Sequence, residues 1–133
     1  MTTIAIIDYG GSNLKSVYKA LESVSIKKIN IKVSSDIKEI ANSDKIVFPG
    51  QGAIGDCMSH LKKTGLSRKI GNLCQTKPFL GICLGLQSLM SKSEEDNGTT
   101  CLNLIEGEVK RFQKPSDISE NNFDKIPHMG WNN

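Results

Sequence analysis

Cys83 is the residue whose type and position most clearly suggest chemistry. It lies in the segment Gly81-Ile82-Cys83-Leu84-Gly85, directly after the short apolar run 78–80. This pattern predicts a strand, a sharp turn with the thiol at its apex and then a helix, and the flanking glycines permit a tight backbone. A thiol at the start of a helix also meets the positive end of the helix dipole, which favours the nucleophilic thiolate. A free cysteine is usually a small buried hydrophobic residue, but the flanking pattern here favours a nucleophile.

Two further loops are predicted at the same edge of a parallel sheet as Cys83. The loop 9–13 follows an apolar run at 3–8, and the loop 49–52 follows another at 45–48. Because sites in open parallel sheets lie at the carboxyl ends of the strands, we expect the three loops to meet. Backbone N–H groups of the second loop, with the one that follows Cys83, could stabilise an oxyanion. The residues that offer these N–H groups are Gly50, Gln51 and Gly52, although the two glycines also fit an ordinary turn.

Polar residues near Cys83 could bind a substrate. Gln87 follows Cys83 by four residues and is expected on the same side of the helix, one turn along, although it also fits an exposed helix surface. Glu94 and Glu95 could pair with a substrate ammonium, although both also fit a charged loop. The pair Gly10-Gly11 resembles a phosphate-binding turn only weakly, because the Gly-x-Gly-x-x-Gly spacing is absent.

The hydrophobic pattern alternates between strand-like and helix-like periods, which predicts an α/β fold with a parallel sheet. The length of 133 residues is that of one domain, and we expect a single domain over residues 1–133. The predicted strands are 3–8, 29–33, 45–48, 78–80 and 104–112, with 29–33 near a sheet edge because its polarity alternates. The predicted helices are 14–24, 37–41, 55–63, 66–74 and 84–91. The first has an apolar stripe that includes Val24, and the second has Asp36 as its N-cap. We expect residues 93–98 to form a polar loop.

Bulk properties argue against several classes of function. The four cysteines form no Cys-x-x-Cys pair, which argues against a zinc site or a disulfide framework and favours a reducing cytoplasm. The net charge is only +3 and the basic residues are dispersed, so we expect no nucleic-acid partner. No apolar run is long enough to cross a bilayer, so we expect no membrane association, and no residue pattern calls for a metal or another cofactor.

Five segments together resemble the class I glutamine amidotransferases and, within them, the glutaminase subunits of imidazole glycerol phosphate synthase. They are Ile7-Asp8-Tyr9-Gly10 with Asn13-Leu14, then 48–53, 81–87, 93–95 and Pro127-His128-Met129-Gly130-Trp131-Asn132. The segment around Cys83 indicates the class, and the first and last segments indicate the subunit. The resemblance runs in order along the whole chain. It implies a flavodoxin-like, three-layer fold, with a mostly parallel sheet and helices on both faces.

The same resemblance implies a role for each matching residue. Cys83 would attack the side-chain amide of glutamine, and the loop of Gly50, Gln51 and Gly52 would supply the oxyanion hole. Glutamine stands at position 51 where valine is frequent in the family. Gln87 and Glu95 would hold the amino-acid end of the substrate. A cyclase subunit with a (β/α)8 barrel would form a heterodimer with this chain and receive its ammonia for histidine biosynthesis. The residues implied at that interface are Asn13, His128, Met129, Gly130, Trp131 and Asn132.

The family's catalytic base belongs to a His-x-Glu motif that lies C-terminal to the Trp-Asn pair. The 133 residues contain two histidines, His60 and His128, and neither has glutamate two residues later. We expect His60 to be a packing residue rather than a substitute base. We therefore expect a C-terminally truncated domain that lacks its last strands and closing helix. Since general acid–base help is worth about 10²–10⁴-fold, we also expect impaired catalysis.

Three other interpretations remain open at this stage. The chain could be a non-catalytic remnant that only binds the cyclase partner. It could be an amidotransferase subunit that serves another ammonia acceptor, such as a sugar-modifying enzyme. It could also be a flavodoxin-like nucleotide-binding module that uses the Gly10-Gly11 loop, although this leaves the pattern around Cys83 unexplained.

Overall fold

The computed structural model of the chain describes residues 1–11 and 13–112, in which strands and helices alternate. The strands are β1 (Thr2–Ile7), β2 (Ile29–Ser34), β3 (Lys45–Gly50), β4 (Phe79–Cys83), β5 (Lys92–Ser93), β6 (Thr99–Thr100) and β7 (Glu108–Val109). The helices are α1 (Leu14–Val24), α2 (Ile37–Ala41), α3 (Ile54–Lys63), α4 (Leu66–Thr76), α5 (Leu84–Gln87) and a 3₁₀ turn at Glu95–Asn97. Within these ranges, no helix has the length and apolar character needed to cross a bilayer.

The main sheet is parallel and has the strand order β2-β1-β3-β4. This confirms the predicted α/β class, and β2 lies at one edge of the described sheet, as its alternating polarity predicts. A second, small sheet has the order β6-β5-β7 and follows α5 in the chain. Since the strands of the main sheet are parallel, their carboxyl ends lie at one edge, which is where the three predicted loops emerge.

One face of the main sheet carries most of the hydrophobic core. Ala5 and Ile7 of β1 pack with Phe48 of β3 against α2, α3 and α4, and all three side chains are fully buried. Burial of a large apolar side chain is worth about 1.5–3 kcal/mol, so this face dominates the stability of the fold. On the opposite face, Ile6 is also buried, whereas Leu80 at the β4 end of the same face is 52% exposed.

Two helices begin at side-chain caps that satisfy free backbone N–H groups. The Asp36 carboxylate accepts from the Lys38 N–H at 2.7 Å, which confirms the predicted N-cap of α2. The Asn13 amide oxygen accepts from the Ser16 N–H at 3.3 Å at the start of α1. Such caps contribute about 1 kcal/mol each. The apolar stripe predicted for α1 is wrong at Val24, which is 74% exposed.

Strand β3 continues through Pro49 to Gly50, two residues further than predicted. Proline cannot donate a hydrogen bond and is normally excluded from the middle of a sheet. It is tolerated here because β1 pairs with β3 only as far as Val47, which leaves β4 as the single neighbour at Pro49. Strand β4 likewise runs to Cys83 rather than ending at residue 80.

Three predictions for the chain after Cys83 are wrong. Helix α5 has four residues and does not reach Ser91, since the Ser91 N–H donates to the Gly107 carbonyl at 3.0 Å and not to the Gln87 carbonyl one turn back. The segment 93–98 is not a plain loop, since it contains the end of β5 and the 3₁₀ turn. The strand predicted at 104–112 is limited to β7, because residues 104 and 105 bond to the end of α5 instead.

Candidate active site

Cys83 lies at a strained turn between β4 and α5. It is the last residue of β4 and the N-cap of α5, with φ 53° and ψ −113°, and it is exposed. Positive φ is rare for a residue with a side chain and costs about 1–3 kcal/mol, which persists only where the surroundings impose it. The strand, sharp turn and helix predicted from the sequence are therefore confirmed, and the turn leaves the thiol accessible to a reactant.

Glycines surround Cys83 because the backbones approach too closely for side chains. A Cβ at Gly85 would lie 1.8 Å from the Phe48 carbonyl oxygen. One at Gly81 would lie 2.8 Å from Leu86 Cα. One at Gly50 would lie 2.7 Å from Leu84 Cβ, and Gly50 is the register partner of Cys83. The end of β3 is thus packed directly against the turn that carries the thiol.

Tyr9 connects the loop after β1 to the loop after β3. Its side chain is 4% exposed and its ring packs edge-on against Phe48, with the ring centroids 5.9 Å apart. The Gln51 N–H donates to the Tyr9 hydroxyl at 3.0 Å, and the hydroxyl lies 3.2 Å from the Gln51 carbonyl and 3.3 Å from that of Gly11. Burial is the main cause that raises the pKa of Tyr9, so the phenol is neutral and can donate. Of the three expected oxyanion donors, the N–H of Gln51 is therefore already engaged in this structure.

The turn that carries Glu95 is tied to the start of α3, just beyond the 49–52 loop. Asp96 accepts from the Gly55 N–H at 3.0 Å, and a Cβ at Gly55 would lie 2.7 Å from the same carboxylate oxygen. Asp96 has φ 56°, so this turn also holds a residue in an unfavourable conformation. The link ties the turn that contains the exposed Glu95 to the start of α3, and the substrate role of Glu95 stays a prediction.

The remaining expected site residues have the following places. Gln87 is half-buried at the end of α5, one turn beyond Cys83. Asn13 is exposed and caps α1, a structural role that leaves the partner role a prediction. His60 is half-buried on α3, with its ring centroid 6.4 Å from that of Tyr9, in line with a packing role. The expected interface residues His128, Met129, Gly130, Trp131 and Asn132 lie outside the described residues.

The four thiols differ strongly in their environment. Cys57 is fully buried, and burial raises its pKa to about 11. Burial also raises the pKa of Cys74 and of Cys101. Cys83 is the exposed one of the four. Since the thiolate is the nucleophile, the buried thiols are poorly suited to react and the turn residue is the accessible candidate.

A cavity of about 580 Å³ lies beside the 49–52 loop. Its walls include Tyr9, Gln51, Asp56 and His60, whereas Cys83 does not line it. The cavity thus adjoins the Tyr9 contact rather than the thiol. Sequence analysis did not assign Tyr9 or Asp96 a role. The signal in the sequence was that Tyr9 directly follows the apolar run 3–8, whose predicted strand ends at the edge of the sheet where the site forms.

The match to a family model agrees with this arrangement. The model of the class-I glutamine amidotransferases matches residues 5–133. The chain belongs to the class-I glutamine amidotransferase family.

Curated relatives narrow the resemblance within that family. An imidazole glycerol phosphate synthase subunit HisH from Pseudomonas savastanoi is 47% identical over 132 residues, which are 99% of this chain and 61% of the relative. The same subunit from Nitrosococcus oceani is 47% identical, with 99% and 60% covered. The chain thus spans about three fifths of the length of the curated relatives it matches.

A solved structure supports the fold alone. A protein described as a putative peptidase E from Listeria monocytogenes matches with a TM-score of 0.60 at 20% identity, over 78% of this chain and 63% of that one. The likeness agrees with the expected flavodoxin-like α/β architecture.

Proposed function

We propose that the chain is the glutaminase part of an imidazole glycerol phosphate synthase, which acts in histidine biosynthesis. The Cys83 thiolate attacks the side-chain carbonyl carbon of glutamine and forms a carbon–sulfur bond. The carbon–nitrogen bond breaks as the nitrogen gains a proton, so ammonia leaves and a γ-glutamyl thioester remains. Water then adds to the thioester and the carbon–sulfur bond breaks, which releases glutamate and the thiol.

The exposed, strained position of Cys83 between β4 and α5 is the observation that carries this proposal. Gly50 is the register partner of Cys83, so the 49–52 loop begins beside the turn, and Leu84 is the first residue of the following helix. In the proposed mechanism, the loop of Gly50, Gln51 and Gly52 offers backbone N–H groups to the oxyanion that forms on the glutamine carbonyl, together with the N–H of Leu84. Gln87 and Glu95 bind the amino-acid end, and the Glu95 carboxylate pairs with the ammonium of the substrate.

The proposed partner is a cyclase subunit with a (β/α)8 barrel that receives the ammonia. This proposal takes residues 1–133 as part of one amidotransferase domain, and takes Asn13 together with residues 128–132 as the surface toward the cyclase. Support comes from the relatives, each of which is named as a subunit of imidazole glycerol phosphate synthase.

We further propose that a polypeptide of these 133 residues turns over slowly. Departing ammonia needs a proton and the thioester needs an activated water, tasks that a general acid–base residue performs. Neither histidine of the sequence is followed by Glu two residues later. His60 contacts the Tyr9 ring, and that contact does not make it a base for Cys83. Thiol attack and turnover are therefore expected to be separable in this polypeptide.

The first test measures the reactivity of the thiol without turnover. A chloroketone with the length and amino-acid end of glutamine alkylates a thiolate as the sulfur–carbon bond forms and chloride leaves. Mass spectrometry would follow the labelling of the four cysteines, with iodoacetamide as a reagent that lacks the amino-acid end. We expect rapid labelling at Cys83 alone, slowed by free glutamine. Labelling that glutamine leaves unchanged would contradict a glutamine site at Cys83.

The second test measures ammonia release from glutamine by the 133-residue polypeptide with its cyclase. We expect a rate at least about 10²-fold below that of a complete subunit. A comparable rate, abolished in Cys83→Ala, would refute the proposed impairment.

The alternative function for a polypeptide of these 133 residues is that of a binding subunit without catalysis. Copurification with the cyclase combined with no glutamine-protected labelling of Cys83 would favour that function. Failure to bind the cyclase, with glutamine protection retained, would instead favour a subunit that serves another ammonia acceptor.

A further inference from the structure

Strand β2 has a free edge in the described part of the chain. It pairs with β1 along its whole length and lies at one end of the strand order β2-β1-β3-β4. The Asp8 N–H donates to the Ser34 carbonyl at 2.9 Å, so the backbone groups of Ser34 face β1. Because this direction alternates along a strand, the N–H and C=O groups of Ile31 and Val33 point away from β1, where an added strand could bond to them.

A cavity of about 330 Å³ lies beside this edge, between β2 and α1. Ile29 and Ile31 of β2 line it, together with Tyr18 and Glu22 of α1. The side chains of Ile29 and Ile31 are only half-buried, and Val33, which follows them on the same face of the strand, is 43% exposed. The face of β2 next to the free edge is therefore apolar and incompletely covered, and the cavity could take a bulky apolar side chain.

Lysines flank this apolar face. Lys27 and Lys28 also line the cavity, and Lys32 is exposed on the opposite face of β2. None of the three forms an ion pair within residues 1–11 and 13–112. Glu22, an acidic residue of the cavity wall, is already paired with Lys19 at 2.7 Å. The surroundings of the free edge are thus positively charged and complement an acidic partner.

We propose that β2, with the cavity beside it, is a docking site for an extended acidic segment of another protein, which adds to the main sheet as a further strand. In this mode of recognition, backbone hydrogen bonds provide affinity and side-chain pockets provide specificity. Since side chains alternate between the two faces of a strand, the segment carries apolar residues over the cavity and acidic residues beside Lys32. Cys83 lies on β4, at the other end of the strand order, so this docking site is independent of the proposed glutaminase function.

The lysine on β2 has a second possible effect, because lysines on edge strands discourage pairing with other chains. Lys32 would have this effect on a neutral or basic segment. An acidic segment reverses it, since opposite charges on neighbouring strands attract. A docking site therefore requires that binding depend both on negative charge and on the alternating pattern, whereas a merely protected edge binds no segment.

The first test measures binding of a fluorescent peptide of about eight residues, the length of a typical strand, in which valine and glutamate alternate. Fluorescence anisotropy would follow its binding to the 133-residue polypeptide. One control peptide has the same composition with all valines before all glutamates, and the other alternates valine with lysine. We expect saturable binding of the alternating acidic peptide alone, weakened at least about tenfold when salt rises from about 0.05 M to about 0.5 M.

Two variants of β2 test the charge and the backbone separately. Lys32→Glu should weaken binding at least about fivefold because like charges then face each other, whereas Lys69→Glu makes the same change on α4 and should leave binding unchanged. Val33→Pro removes an N–H that points away from β1, a position where an edge strand tolerates proline. We expect this variant to fold and to bind the peptide at least about tenfold more weakly.

Hydrogen exchange measured by NMR tests the same contact in the wild-type protein, so it does not depend on whether Val33→Pro folds. The N–H groups of Ile31 and Val33 should exchange at least about tenfold more slowly when the peptide is bound. The N–H of Lys32 is the internal control, because it faces β1 and should change little.

Each contrary outcome overturns the docking site for a different reason. Without saturable binding of the alternating peptide there is no site, and equal binding of the reordered peptide would mean that charge alone attracts it. Binding with unchanged exchange at Ile31 and Val33 would exclude an added strand. A dimer of the polypeptide that Val33→Pro dissociates would assign the edge to a second copy instead of an acidic segment. Glutamine protection at Cys83 is a separate measurement, so the proposed function stands or falls on its own.

Discussion

The close approach of Gly85 to Phe48 leads to a strong prediction for Gly85→Ala. The added methyl carbon would lie 1.8 Å from the Phe48 carbonyl oxygen and 2.7 Å from its carbonyl carbon. Carbon and oxygen atoms that are not bonded normally stay about 3.3 Å apart, so the two backbones would have to separate by about 1.5 Å. The obstacle is backbone on both sides, which cannot turn aside as a flexible side chain can.

This separation would disrupt the packing of α5 against β3. Overpacking a filled site costs typically about 1–3 kcal/mol, and a clash between two backbones belongs at or above the upper end. We therefore expect the free energy of unfolding to fall by about 3 kcal/mol or more. For a chain of this length, 1 kcal/mol corresponds to about 3–5 °C, so the melting temperature should fall by about 10–15 °C.

Urea unfolding followed by circular dichroism would measure this loss, with Gly71→Ala as the matched control. Gly71 lies inside α4, where a Cβ would meet only the flexible end of Leu104 at 3.3 Å. Alanine is favoured over glycine inside a helix by about 0.5–1 kcal/mol, so the control should be neutral or more stable than wild type. If Gly85→Ala unfolds within about 1 kcal/mol of wild type, then the packing argument for the turn at Cys83 is wrong.

Two further predictions concern the cysteines. Cys83→Gly should be more stable than Cys83→Ala by about 1 kcal/mol in urea unfolding, because glycine removes about 1–3 kcal/mol of strain at φ 53° and costs about 0.5–1 kcal/mol of chain entropy. A Cys83→Gly protein that is less stable than Cys83→Ala would show that the turn is not strained. Burial raises the pKa of Cys57 to about 11, so the unfolded state loses this proton first as pH rises. The stability that the neutral thiol contributes below pH 9 should therefore fall by about 2 kcal/mol between pH 9 and 11. Urea unfolding at the two pH values should show a smaller loss in Cys57→Ala, and an identical loss in both proteins would contradict the assignment.

The sequence was sufficient to predict the elements with strong local signals. Strands β1 to β3 and helices α1 to α4 lie within two residues of their predicted bounds, because hydrophobic period and caps such as Asp36 are local properties. The turn at Cys83 was also predicted, since the glycines at positions 81 and 85 indicate that backbone segments approach each other closely there. The positive φ of Cys83 follows from the same sharp turn.

The chain after α5 was not predictable in the same way. Residues 101–105 donate to the carbonyls of residues 88–91, which follow α5, and the Ser91 N–H donates to the Gly107 carbonyl, so these longer-range bonds replace the helix that local propensity would continue. The contacts of Tyr9 with Gln51 and of Asp96 with Gly55 join residues about 40 positions apart. Neither contact follows from the type or spacing of its residues, since tyrosine and aspartate occur in many other settings.

The described part of the site holds the Cys83 thiol in its exposed position without any contribution from a catalytic base. Gly85 and Gly50 let β3 pack against the turn, which holds Cys83 in its strained conformation, and Tyr9 fixes the loop beside it. A base acts later in the proposed reaction, when ammonia leaves and when water attacks the thioester. A polypeptide of these 133 residues should therefore react once with a glutamine-shaped electrophile at Cys83 and release ammonia slowly. If glutamine-protected labelling is lost together with turnover, then the conformation of the turn depends on more than these residues, and the argument from the glycines is incomplete.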